Sequence, residues 1–149
     1  MTDIQGEDKM DKFIGKKVIT EIEFTETLEE LHIKTDLKKW GKCDIVVWGN
    51  EGTIPHFHIK SKTTGKEACV CIFEPKYFNH ESNHTTLGNK EKKELNEFLK
   101  SKSDKSKTVW EEIRDSWDDN NGDKVYEHKD ELTKMKQPDY SKMTEDRHK

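Results

Sequence analysis

Along parts of this chain apolar and polar side chains alternate, and along others the apolar ones recur at three- and four-residue steps. Between Lys16 and Phe24 the residues Val18, Ile22 and Phe24 fall at even positions with Ile19 as the break, which predicts a strand because alternate side chains share a face. Asp44-Ile45-Val46-Val47-Trp48 is β-branched and aromatic and runs into Gly49-Asn50-Glu51-Gly52, a strand ended by turn chemistry. Pro55 opens the next strand, where its missing N–H costs little. Phe57 and Ile59 there lie on one face and His56, His58 and Lys60 on the other. Thr63-Thr64-Gly65-Lys66 predicts a tight reversal with Gly65 supplying a positive φ, and Val70 and Ile72 carry the returning strand to Glu74-Pro75.

A loop centred on Thr64-Gly65 pairs His58 with Cys71 and Lys60 with Cys69. His56 and His58 then share a face with Cys69 and Cys71, and Phe57, Ile59, Val70 and Ile72 occupy the reverse, core-facing side; a shift of one residue would exchange the faces. Leu28, Leu31, Ile33 and Leu37 fit neither period, so a short helix or an irregular connection joins the first two strands. Lys76 to Leu87 reads as a polar loop. A helix follows from Asn89 as its cap, with Leu95, Phe98 and Leu99 as its apolar stripe. After the Ser/Lys/Asp connector from Lys100 to Lys107, Thr108 and Glu111 match a capping box. Val109, Trp110, Ile113 and Trp117 mark a second amphipathic helix, stopped by Asn120-Asn121-Gly122. A thinner third helical stretch runs from Lys124 to Lys136 with Val125, Leu132 and Met135. The fold class expected is α+β: an antiparallel sheet of three to four strands with two to three helices packed on one face. Residues 1–12 form a mobile N-terminal arm, 13–136 a single domain and 137–149 a disordered tail.

Composition supports trimming the ends, since only 30% of the 149 residues are hydrophobic and 39% are charged. The 27 Lys and Arg against 31 Asp and Glu give a net charge of −4, which argues against broad adhesion to nucleic acid. No run approaches the ~20 apolar residues that cross a bilayer, and the first residues lack the basic start and apolar segment of a signal peptide. Cys43, Cys69 and Cys71 are odd in number, two of them one residue apart, unlike a secreted disulfide framework. A cytoplasmic protein with reduced thiols and no membrane partner is the expectation.

From Ile45 to Trp117 the landmarks come in a recognisable order: Val46-Val47-Trp48, Ile54-Pro55-His56-Phe57-His58-Ile59, Gly65-Lys66-Glu67-Ala68, Phe73-Glu74-Pro75, Leu87, Leu95 and Trp117. This half of the chain resembles a family of small bacterial and phage proteins classed as a domain of unknown function, whose members carry a Pro-Pro-His-x-His hairpin followed by two helices. Ile54 stands at one of the two usual prolines, and the loop from Tyr77 to His84 is longer. The resemblance implies a topology and a toxin–antitoxin-like context with a small partner protein, not a reaction.

Candidate chemistry centres on the hairpin. His56 and His58 lie about 7 Å apart at their Cα atoms along one strand face, and Cys69 and Cys71 from the next strand would complete a tetrahedral S₂N₂ set suited to zinc. The spacing is not a zinc signature, however, and a flat hairpin face converges poorly on one point. The leading expectation is therefore a cofactor-free binding or regulatory protein that engages a partner protein through His56, His58 and Lys60 on an exposed face. The alternative is a hydrolase acting on RNA, with the histidines as acid and base or as ligands of zinc. A cupin-type site fails because Lys62 and Thr63 stand where its Glu would be, and His80 and His84 are too close in sequence for a two-histidine phosphoesterase. A calcium loop around Asp118–Asp123 would need Trp117 and His128 as ligands. The lysines from Lys90 to Lys107 could track phosphates, but they alternate with acids and carry no stacking aromatics, so nucleic acid is the less favoured partner.

Overall fold

The computed structural model of the chain describes residues 16–25, 40–48, 54–78, 85–103, 106–120, 136–144 and 147–148. In it the alternating segments become an antiparallel meander. Strands β1 (Lys16–Glu23), β2 (Lys42–Trp48), β3 (His56–Ser61), β4 (Glu67–Cys71) and β5 (Tyr77–Phe78) pair in chain order. A two-residue β6 (Arg147–His148) adds in parallel beside β5. Two α-helices, α1 (Asn89–Lys100) and α2 (Val109–Asn120), follow the meander. The chain is thus α+β, as its periodicities imply, but the sheet is larger than the three to four strands expected. Tyr77-Phe78 is too short to show an alternation and was concealed in a polar loop. The break at Ile19 is a register irregularity between Val18 and Thr20, the extra residue of a β-bulge.

Phe57, Ile59, Ala68, Val70 and Ile72 join Ile45 and Val47 of β2, Leu95 and Leu99 of α1, and Val109, Trp110, Ile113 and Trp117 of α2 in one core cluster. These are the positions that the periods of two and 3.6 single out. The capping box is formed as the sequence indicates: Glu111 N donates to Thr108 Oγ1 (3.1 Å) and Thr108 N to Glu111 Oε1 (2.9 Å). At α1 the cap is Gly88 rather than Asn89, and it makes no side-chain hydrogen bond. No helix among the described residues is long and apolar enough to cross a membrane.

The β3–β4 register differs from the expected one by two residues. His56 pairs with Cys71, His58 with Cys69 and Lys60 with Glu67. The cause lies in the turn. Gly65, at φ +78°, sits at the end of the loop rather than at its centre. Ser61 O accepts from Gly65 N at 3.2 Å, while Ser61 Oγ accepts from Thr63 N and Thr64 N at 3.3 and 3.2 Å. An even shift preserves the faces, so the two histidines still share one with Cys69 and Cys71.

Within the stretch 137–149, expected to be a disordered tail, the described residues place two side chains in the core. Tyr140 and Met143 are buried in the cluster, and the Tyr140 ring meets Phe57 edge-on at 6.2 Å. Its hydroxyl lies 2.7 and 2.9 Å from the carbonyls of Ile72 and Cys71, and Trp110 Nε1 donates to both Ile72 O and the Tyr140 oxygen. Burial holds this phenol well above its ordinary pKa, so it remains a donor. Asn96 of α1 accepts from Tyr140 N and Gln137 Nε2. A mean over polar composition misses one well-placed aromatic. The proposed arm 1–12 and the third helical stretch, save Lys136, lie outside the described residues.

Two outcomes follow from these ties. Tyr140→Phe removes the hydroxyl that lies between Cys71 O and Ile72 O, of which Ile72 O keeps Trp110 Nε1 as donor, and is expected to cost about 1–3 kcal/mol in urea unfolding; an unchanged midpoint would place the segment outside the cooperative fold. At the other end, Thr25 donates through its amide and hydroxyl to Glu94, and Lys90 stands 3.5 Å from the same carboxylate. Burial alone would raise the Glu94 carboxyl, but the bonds from Thr25 and the charge of Lys90 outweigh it and hold it below its ordinary value. This stabilisation is present above the unfolded pKa and is lost as pH falls through the lower folded one. Glu94→Gln should therefore melt below the parent at pH 7, with the gap closing toward pH 3.

Candidate metal centre

Strand β3 alternates buried imidazole with buried apolar side chains, and the imidazoles are enclosed instead of exposed. His56 is 0% and His58 3% accessible, which corrects the expectation of an exposed histidine face. Val46, Cys69 and Cys71 are buried with them, outside the main core cluster. The aromatic walls come from distant parts of the chain. Phe78 of β5 stacks flat on His56 with ring centres 4.0 Å apart, Trp117 of α2 approaches the same ring at 5.0 Å, and Trp48 meets His58 edge-on at 6.5 Å.

A buried imidazole needs hydrogen-bond partners, and both find oxygen at Nδ1. His56 Nδ1 lies 2.7 Å from Ile54 O; a carbonyl has no proton to give, so Nδ1 carries it. His58 Nδ1 lies 2.7 Å from Glu67 Oε2, and an ionised carboxylate likewise only accepts. In the neutral form of each ring the lone pair then falls on Nε2. His58 Nε2 faces Cys69 Sγ at 4.0 Å.

One donor atom from each of His56, His58 and Cys69 lies within 4.8 Å of the others. Zinc bonds of ~2.1 Å to nitrogen and ~2.3 Å to sulfur in a tetrahedron place donors about 3.4–3.6 Å apart. From separations of up to 4.8 Å, closing the trio needs a contraction of about 1.2–1.4 Å at most. Two imidazoles and a cysteine sulfur make a donor set for a borderline or soft cation rather than for calcium or magnesium.

No family model matches this chain, and neither a curated protein nor a solved structure matches it. What the centre can do rests on its own donors.

The other sequence candidates fall around this trio. Cys71 is the Cα partner of His56 but is not in the set of mutually close donors. Its thiol is pushed up to about 12, first by burial and then by Glu74 and Cys69. Lys60 is exposed opposite Glu67 and Asp44. In the lysine-rich segment Lys90 binds Thr25 O, Lys92 Met143 O, and Lys107 Asp115, so these ammonium groups serve internal contacts. Sequence reasoning passed over Glu67, Phe78 and Trp48. Only Glu67 had a local signal, an acid two residues before Cys69 on the same strand face. Phe78 and the Trp117 contact depend on tertiary placement.

Burial and the nearby Asp44 push the Cys43 thiol up to about 12 as well, against the pull of Lys66. Cys43 and Cys71 therefore stay protonated at pH 8, and iodoacetamide should leave both unmodified in the folded protein while alkylating both in urea. Mass spectrometry of the digested protein reads this, and full labelling of Cys71 without denaturant would contradict its enclosure.

Proposed function

We propose that this chain is a zinc-binding protein whose centre is the His56–His58–Cys69 trio. The observation that carries this reading is that one ligand atom each of His56, His58 and Cys69 lies within 4.8 Å of the others, with His58 Nε2 4.0 Å from Cys69 Sγ while its Nδ1 is engaged by Glu67. Second-shell oxygen at the far nitrogen is what orients histidine ligands in metal sites. Among the described residues three protein donors come together, and a site of three would have a fourth tetrahedral position, the pattern that zinc uses where it activates a water. The donor set thus favours a metal-dependent hydrolase, with RNA as the substrate class to test first. A toxin–antitoxin-like protein could still engage a partner at Lys60, but its buried imidazoles would act through the ion and not through direct contact.

Purified protein should carry about one zinc per chain by elemental analysis, and cobalt(II) should give a thiolate-to-metal charge-transfer band. His58→Ala and Cys69→Ser should each weaken binding by more than the ~100-fold that loss of a second-shell partner costs, with far-ultraviolet circular dichroism confirming that the variants fold. Cleavage of RNA that a chelator abolishes and zinc restores would establish the hydrolase role. A chain that binds neither zinc nor cobalt would remove the centre altogether.

A further inference from the structure

Glu67 occupies the first position of β4, on the same face as Cys69 and diagonal to His58, whose direct partner is Cys69. Its backbone is fixed on both sides: Lys60 pairs with it across the hairpin, and Thr85 N donates to its carbonyl at 2.9 Å. Its carboxylate then takes the Nδ1 proton of an imidazole that is 4% exposed, while Glu67 itself is 24% exposed at the side chain.

We propose that Glu67 is the positioning residue of the centre, holding His58 in the Nδ1–H tautomer so that Nε2 faces Cys69 Sγ. The proposal rests on the metal-centre reading. Its chemistry is that of a carboxylate–histidine pair: the acceptor sets which nitrogen keeps its lone pair, fixes the ring's rotation and raises the ligand's basicity. The two histidines differ in this respect. His56 is set by the carbonyl of Ile54, a backbone group that no substitution removes, whereas His58 depends on a side chain. Glu67 is thus the side chain whose substitution removes the Nδ1 acceptor of a candidate ligand.

Long-range proton–nitrogen NMR of the metal-free protein reads the tautomer directly, and cobalt(II) titration reads affinity. The parent should show His58 protonated at Nδ1. Glu67→Ala should mix in the Nε2–H form and lower cobalt affinity ~10–100-fold. Glu67→Gln, whose amide oxygen still accepts from Nδ1–H, should keep the tautomer and restore affinity to within a few-fold of the parent. If the parent binds cobalt but Glu67→Ala is unaltered in either tautomer or affinity, Glu67 has no positioning role. If the parent itself forms no cobalt complex, the metal-centre reading falls instead.

Discussion

The arrangement hangs on the reversal between β3 and β4. Ser61 is buried and its side chain is used three times: its hydroxyl donates to Trp40 O and accepts from the amides of Thr63 and Thr64. Gly65 at φ +78° closes the loop onto the Ser61 carbonyl, a conformation that costs glycine little and other residues more. Together these fix which residues of the two strands face each other. An odd slip would send His58 into the apolar core and bring Phe57 beside the cysteines, so the turn sets chemistry and packing at once.

The sheet buries groups of two different kinds. Phe57, Ile59, Ala68 and Val70 enter an apolar cluster with both helices, where burial itself is favourable. His56, His58, Cys69 and Cys71 are also buried, but burial of an imidazole is unfavourable until its nitrogens are satisfied. Ile54 O and Glu67 supply that for Nδ1 of each ring, and the same bonds orient the rings. The same two bonds thus serve burial and ring orientation at once.

Strand β4 is held from its far end as well. Tyr140 and Trp110 meet at the carbonyls of Cys71 and Ile72, so a C-terminal segment and α2 both terminate on the strand that carries Cys69. The donor atoms therefore sit on a ribbon fixed by a turn at one end and by an aromatic pair at the other. Rigid support of this kind is what keeps a small polar centre in register.

From the order of residues alone follow the α+β class, β1 to β4 as strands, both helices, the Thr108–Glu111 cap and the common face of His56, His58 and Cys69. Each is a matter of local periodicity or of a cap only three residues long. Local pattern could not fix the hairpin register, because the bonds that Ser61's hydroxyl makes and the place Gly65 takes in the loop arise only in the folded turn. Nor could it reveal β5, the burial of Tyr140 or the enclosure of His56 by Phe78 and Trp117. Those contacts join residues tens of positions apart, and only the packing of the whole chain decides which of them meet.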